Sequence, residues 1–450
     1  MTQPSFNPES LRPNRSPVED RVTGGTRRDS LRLNILLINH YAGSDRYGME
    51  YRPFNLAREW VRMGHTVTIV GSGYSHLRHT QPEARWLGRE EIRDGVRFLW
   101  FRGPRYHGNG VRRVQNIFTF VGQLLLRHRR LARNVGPDVV ISSSTYPFDS
   151  WPAYLIARRS KAVLVHELHD LWPLTLIEVG GMSSRNPFVA LMHRAERFAY
   201  RRSDVVVSIL PAADKYMVRH GMAIEKFVHI PNGVMVEDWE SHVGELPTEH
   251  RELLARLRSE GRFIVGYTGT HGIANALHTL LEAASYLRHE NVHFVLVGHG
   301  PEKEDLKALA GRLGLTNVSF LPPVTKAAIP SLLRQFDAGF IGQNDRPLYQ
   351  YGVSPNKLFD YMMAGIAVLQ GVEPGGDLVL QTGCGFSVPA GDSAALAAAI
   401  EKLIGMDPEE RARMGLLGRE FVVEHHDFPL LAKRFVEAVD RGHRDLEISN

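Results

Sequence analysis

The chain has 450 residues, 43% of them hydrophobic and 23% charged, with a formal net charge of +5. That length favours two or three domains able to bury their own cores, and a single cysteine, Cys384, excludes an intrachain disulfide and a cysteine-rich metal site. No run of about 18 apolar residues occurs, so no transmembrane helix is predicted, and no zinc-finger, helix-turn-helix or aromatic-interleaved RNA motif points to nucleic acid as a partner.

Residues 1–30 are polar, rich in Pro, Arg, Asn and Ser; they read as a disordered leader, not a secretory signal. LRLNILLIN (31–39) is a nearly continuous apolar run, as in a buried parallel strand. A loop follows, YAGSDRYGME, carrying Gly43, Asp45 and Gly48, then an amphipathic helix, YRPFNLAREWVRMG, and a second strand, HTVTIVGS. VRFLWFR, DVVISSS (138–144), AVLVHEL (162–168) and DVVVSI (204–209) continue the series, with helical patterns between several of them. A second series begins near residue 262: FIVGYTG, VHFVLVG, NVSFLP, AGFIGQ, IAVLQG and GFSVP. The alternation predicts an α/β protein of two Rossmann-like domains, 31–232 and 233–425, facing across a cleft. A polar linker is expected between Asn232 and Arg262, and the last segment, 426–450, is expected to return to the first domain as a helix and tail.

Charge is uneven. Between Gly95 and Pro137 there is no acidic residue, while Arg97, Arg102, Arg105, Arg112, Arg113, Arg127, Arg129, Arg130 and Arg133 all fall there. Within it, Val114, Ile117, Phe118, Val121, Leu124, Leu125 and Leu131 share one helical face. Two readings stand: a basic amphipathic helix that docks on an anionic membrane, with Trp100, Phe101 and Tyr106 as interfacial anchors, or a surface helix packed on the sheet.

In open α/β sheets, ligands bind beyond the carboxyl ends of the strands. LVHELHDLW ends a strand with His166, Glu167, His169 and Asp170, read as a cleft-lining pair (His169, Asp170), as a plain polar loop, or as a metal site that lacks a third histidine. FIVGYTGTHG (263–272) ends a strand in a glycine turn that opens a helix; Gly269 and Gly272 let backbone approach a phosphate, and Thr270 and His271 offer donors, although the turn is not GxGxxG. Gly298 and Gly300 repeat the pattern and read as turn formers. In YGVSPNKLFDYMMAG (351–365), Ser354 is placed to cap a helix and Pro355 to occupy its first turn, with Lys357 one turn before Asp360. Helix start, ammonium and carboxylate together suit a phosphorylated ribose; the plain alternative is an ordinary capped helix. EPGGDLVLQ (373–381) offers Gly375 and Gly376 backbone to an anion, or is a tight turn.

Taken together, these pieces resemble the GT-B glycosyltransferases, and within them glycosyltransferase family 4, over roughly residues 31–440. GSDRYGMEYRPFNLAREWVRMGHTVTIV is similar to the family's glycine loop, helix and GHxVxV strand. GYTGTHG looks like its phosphate-binding turn, and SPNKLFDYMMAGIAV with EPGGDLV looks like its donor-binding helix and following loop. HELHDLWPLTL looks like the WbuB-type transferases, which add amino-deoxy sugars during surface polysaccharide assembly. The resemblance implies a retaining enzyme that moves a hexosyl or N-acetylhexosaminyl group from a nucleotide-sugar donor to a glycan or lipid-linked acceptor. It implies catalytic positions at His169, Asp170 and Lys357, and donor contacts from Gly269, Thr270, His271, Gly272, Lys357, Asp360, Gly375 and Gly376. An acceptor loop is implied at Gly43, Asp45 and Gly48.

No metal and no cofactor are expected, since no DxD pair sits at a suitable loop. The expected location is cytoplasmic and peripheral on the inner membrane face, through residues 102–133. Gly352 stands where the family has its first glutamate, Asp360 where it has its second, and Ala367 where it usually has proline; Arg346 is the candidate for a second basic donor contact. A nucleotide-sugar 2-epimerase and a non-catalytic nucleotide-sugar-binding protein share the architecture. The first would yield an epimer without an acceptor, the second would bind without turnover.

Overall fold

The computed structural model describes residues 32–448, apart from 49, 87, 107, 109, 242, 345 and 373–376. The expected leader lies outside these residues, as do Gly375 and Gly376. Among the described residues, the first sheet comprises β1 (Asn34–Ile38), β2 (Thr66–Ser72), β3 (Arg89–Arg93), β4 (Val96–Phe101), β5 (Val139–Ser142), β6 (Val163–Leu168), β7 (Val205–Ser208) and β8 (Phe227–His229). Their order is β3-β4-β2-β1-β5-β6-β7-β8, parallel throughout except for the β3–β4 pair. The second sheet holds β9 (Phe263–Thr268), β10 (Val292–Val297), β11 (Val318–Leu321), β12 (Ala338–Gly342), β13 (Ala367–Gly371) and β14 (Gly385–Val388), in the order β11-β10-β9-β12-β13-β14. Apart from the β3–β4 hairpin at the edge, each order descends to one strand and then ascends, turning over at β1/β5 and at β9/β12, and these switch points put the crevices at the strand ends.

The inner strands are apolar runs because helices cover both sheet faces. In β1, Leu36, Leu37 and Ile38 are wholly buried, with β2 on one side and β5 on the other. Two strands carry no such run. β8 is only three residues, and β3, REEIR, alternates half-buried and exposed residues as an edge strand does. Asp94 and Gly95 join β3 to β4 with positive φ at both positions (46° and 77°), the two-residue turn that suits a hairpin twist.

The helix Val111–Val135 turns its apolar stripe inward. Ile117, Val121, Leu124 and Leu131 are buried, and Phe120 and Leu124 pack with β1 and β5 residues. Trp100, Phe101 and Tyr106 are at most 1% exposed, so they are core residues and not interfacial anchors. The docking-helix reading therefore loses its apolar side, and a basic rim is left at Arg112, Arg129, Arg130 and Arg133, with Val111 and Leu126 exposed beside it. No described helix is long and apolar enough to cross a membrane.

The chain passes between the lobes twice, and the two passages run side by side. The Val234 N–H donates to the His426 carbonyl (3.0 Å), and the Phe428 N–H donates to the Val234 carbonyl (3.0 Å). A Cβ on Gly233 would fall 2.0 Å from the His426 oxygen, so only glycine lets the passages approach this closely. Beyond the second passage the helix Phe428–Ile448 lies on the helix Arg52–Arg62, where the Trp60 indole donates to the Ala432 carbonyl (3.1 Å) and meets Phe435 edge-to-face. The lobes also touch directly: Leu348 and Tyr351, from the short turn Pro347–Tyr351, pack among Leu168, Leu171, Ile209 and Leu210 of the first lobe.

Candidate functional site

At the end of β9 the backbone turns through Gly269, at φ +137°, and Lys357 reaches this turn from the start of the helix Asn356–Ala364. A Cβ on Gly269 would sit 3.5 Å from the Lys357 nitrogen. The Lys357 ammonium donates to the Tyr267 hydroxyl (2.9 Å) and to Asn275 Oδ1 (2.6 Å), and rides 4.4 Å from the Tyr267 ring centroid. All these partners are neutral, and among the described residues no carboxylate pairs with it. Burial accordingly pushes its pKa down from 10.5 to about 7. An ammonium held by neutral dipoles beside a glycine turn keeps its charge unneutralised and suits an anionic group.

His271 completes the turn. Its ring is fully buried and neither ring nitrogen has a hydrogen-bond partner. Burial, with Lys303, His299 and Lys357 nearby, lowers its pKa to about 4, so it stays neutral. Thr270 and Gly272 lie in the same turn; the Thr270 carbonyl accepts from the Tyr267 hydroxyl (2.7 Å). Gly272 does not open a helix: a 3-10 turn, Ile273–Asn275, comes first, and the helix begins at Leu277. Gly298 and Gly300 are spacing residues, since a Cβ would meet the Gly269 oxygen at 1.9 Å and the His271 oxygen at 2.2 Å.

Ser354 does not cap the Lys357 helix. Pro355 occupies the cap position, and Ser354 instead stitches the lobes: its hydroxyl accepts from the Asn232 N–H (2.9 Å) and its carbonyl from the Asn232 amide (2.7 Å). Asp360 lies one turn beyond Lys357. Burial raises its pKa to about 6, opposed by Lys326. Lys326, from the loop after β11, has its ammonium 4.1 Å from the Tyr51 ring centroid of the first lobe, and both Asp360 and Asp45 act on it electrostatically. Arg346, in contrast, is exposed at the start of the turn Pro347–Tyr351.

The first lobe brings His169 to the end of β6. Its Nε2 lies 2.9 Å from the Ser143 hydroxyl, which donates to Glu167 Oε2 (2.6 Å); Ser143 must therefore accept from His169. Nδ1 is left on the Glu50 side, 4.0 Å from its carboxylate. Glu167 is completely buried and pairs with Arg52 (3.0 Å), whose other nitrogens donate to the Ile230 and Pro231 carbonyls at the first passage. Burial works to raise the Glu167 carboxyl, but Arg52 and then His169 hold it well below the usual range. Burial works to lower His169, and Glu167 and Glu50 outweigh it, so its pKa is raised.

Asp170 accepts from Leu171 N (2.8 Å), the Thr175 hydroxyl (2.7 Å) and the Trp172 indole (3.2 Å), which fixes the turn after His169. In the loop after β1, Gly43 N–H donates to the Glu50 carbonyl (2.9 Å), Gly48 is at φ +89°, a conformation that favours glycine, and Asp45 pairs with Arg93.

Glu167→Gln keeps the shape and removes the charge. The expected results are a stability loss of about 3–5 kcal/mol, since a buried arginine loses its counter-charge, and a drop in the His169 pKa. Because the folded-state pKa of Glu167 is depressed, its contribution is present above the ordinary glutamate range and lost as pH falls through the folded value. NMR titration of His169 checks the coupling, and an unmoved midpoint would remove Glu167 as its charge partner.

Two groups thus emerge, Lys357 with Gly269 and His271 in the second lobe, and His169 with Glu167 and Glu50 in the first, while Asp360 and Asp45 both bear electrostatically on Lys326. Lys326, Tyr267 and Asn275 were not singled out by the sequence; a lysine in the loop after a strand, PVTK, is the signal that marks the first of them.

This architecture recurs in solved structures. HepE from Anabaena in complex with UDP and glucose superposes with a TM-score of 0.63 at 17% identity, covering 91% of this chain and all of that one. Two family models match in tandem, the glycosyl transferase 4-like domain over residues 47–233 and glycosyl transferases group 1 over residues 262–406. The protein is a glycosyltransferase of GT-B architecture. Relatives agree: WcaI of Escherichia coli K12, named as a glycosyl transferase of colanic acid biosynthesis, is 24% identical over 68% of this chain and 75% of its own length. The alpha-D-kanosaminyltransferase of Streptomyces kanamyceticus is 25% identical over 65% of this chain and 74% of its own. The chain belongs to glycosyltransferase family 4.

Proposed function

We propose that the enzyme moves a sugar from a nucleotide-sugar donor to a lipid-linked or glycan acceptor in surface polysaccharide biosynthesis, with retention of anomeric configuration. The observation that carries this is the Lys357 ammonium, bound only by neutral partners beside the Gly269 turn. As the glycosidic bond breaks, negative charge collects on the departing diphosphate, and a fixed ammonium with backbone N–H groups lowers the barrier. His169 lies on the opposite lobe with a buried carboxylate behind it, suited to the sugar hydroxyls or to charge on the reacting sugar. The departing phosphate oxygen takes the acceptor proton. Asp360 holds the ribose, and the loop of Gly43, Asp45 and Gly48 borders the acceptor. The naming of WcaI for colanic acid biosynthesis supports a place in polysaccharide biosynthesis.

The test is a thermal-shift panel of UDP, GDP, ADP and dTDP, since a ligand of the native state raises its melting temperature. It is followed by NMR of the product formed from the matching sugar nucleotide. One nucleoside diphosphate should stabilise the wild type, and Asp360→Asn should reduce that shift. Epimerisation of the donor with no acceptor present would instead establish the 2-epimerase reading, and binding without turnover the non-catalytic one.

The enzyme works at the cytoplasmic membrane face, docking through the basic rim of the helix Val111–Val135. Each arginine near an anionic surface contributes about 1 kcal/mol. Replacing Arg129 and Arg130 by serine should therefore weaken binding to phosphatidylglycerol vesicles by roughly 30-fold at low salt. Equal binding by the double variant in a sedimentation assay rules the rim out.

A further inference from the structure

We propose that His193, Glu196 and His220 form a binding site for a divalent transition-metal ion of the zinc class, which clips the helix Pro187–Arg202 to the short helix Asp214–Arg219. One ligand atom from each of the three lies within 4.8 Å of the others. His193 and Glu196 are three apart on one helix and so share a face, with His193 Nδ1 3.0 Å from Glu196 Oε2. The His193 and His220 rings are parallel, 3° apart, with centroids at 5.8 Å.

The surroundings orient these groups as ligands. His220 Nδ1 is 2.8 Å from the Tyr216 carbonyl, which can only accept, so the proton sits on Nδ1 and Nε2 keeps its lone pair. That is the backbone-carbonyl support which fixes the tautomer of a metal-binding histidine. Glu196 is 1% exposed, and one of its oxygens accepts from the Tyr200 hydroxyl (3.2 Å), leaving the other to face His193. Two imidazoles and one carboxylate suit zinc better than magnesium or calcium, which prefer all-oxygen shells. An ion entering takes the place of the proton between His193 and Glu196. Arg194 and Arg197 line the groove onto which His193 opens; their charge disfavours a bare dication there and favours a small anion in the remaining coordination position.

The clip acts on the lobe contact. His220 stacks on Tyr216 (4.0 Å between centroids), and Tyr216 meets Tyr351 (5.5 Å), the last residue of the second-lobe turn that packs into the first lobe. Occupancy stiffens the first lobe's side of that contact.

The full chain, stripped with chelator, is titrated calorimetrically with Zn²⁺ and with Mg²⁺, and Co²⁺ is added as a visible-spectrum probe. The expected result is about one zinc site per chain, a raised melting temperature with zinc and not with magnesium, and a Co²⁺ spectrum of a nitrogen–oxygen site. His193→Gln and His220→Gln, both at half-exposed positions, should each weaken zinc binding by about a hundredfold, while His278→Gln leaves it unchanged. Wild-type protein that takes up no zinc, or glutamine variants that bind it equally, would overturn the site whatever the transferase assay gives.

Discussion

Lys357→Ala lowers kcat/KM for the nucleotide-sugar about 100- to 1000-fold, the range seen when one preorganised donor to a developing anion is removed. The reasoning starts from its partners. A hydroxyl, an amide oxygen and an aromatic ring position the ammonium but do not neutralise it, so its interaction energy is kept for the ligand. The same setting predicts a pH dependence. In the free enzyme Lys357 titrates at about 7 because burial disfavours its charge. A bound diphosphate favours that charge, so binding takes up a proton. Donor affinity should be level below pH 7 and fall about tenfold per unit above it, until the pH reaches the pKa of the complex. Lys357→Arg stays charged across this range, and whatever affinity it retains should be flat with pH. Calorimetric titration at several pH values measures both. A wild-type affinity that is level from pH 6.5 to 9 would place the diphosphate away from this ammonium.

Most of the strands and the glycine turns were legible because buried parallel strands read as uninterrupted apolar runs ending in glycine, whereas the order of the strands in each sheet was not. β3 was not, since REEIR is an edge strand with one face in water, and only Asp94-Gly95 marks it. The arginine-rich helix was ambiguous for a physical reason: a stripe that packs on a sheet and one that enters a bilayer have the same spacing. Only the burial of Ile117, Val121 and Leu124 separates the two. In the site, Lys357 could be found as a letter but its holders could not, because Tyr267 and Asn275 come from 90 and 82 residues away. Glu167 was visible beside His169, yet its weight comes from Arg52, 115 residues earlier. Asp170 had the right chemistry at the right strand end; its use in the local turn depends on where Thr175 and Trp172 fold back.

Gly352→Glu, at the position that the resemblance assigns to the family's first glutamate, is expected to damage the enzyme and not to improve it. Gly352 ends the turn Pro347–Tyr351 at φ +83° and ψ 174°, a region of backbone space that is essentially reserved for glycine. A Cβ there would lie 2.5 Å from Pro211 Cγ and 2.6 Å from its Cδ, both in the first lobe. The neighbouring Ala212 N–H donates to the Tyr351 carbonyl (3.1 Å), so the backbone is tied at the same point. Backbone strain of about 1–3 kcal/mol and overpacking of about 1–3 kcal/mol together give roughly 2–6 kcal/mol. Burying Leu348 and Tyr351 stabilises the lobe contact by about 1.5–3 kcal/mol each. The two sums are comparable, so the variant has a way out other than unfolding: the lobes part at this turn while each keeps its own core. Small-angle scattering should then show a larger radius of gyration, and thermal unfolding should split or move down. Gly352→Ala carries the same strain and the same first clash without the carboxylate, and should go the same way to a lesser degree. If Gly352→Glu keeps the wild-type radius and melting temperature and binds donor more tightly, then the glutamate position is open to the donor sugar, and the contact with Pro211 is not what holds the lobes together.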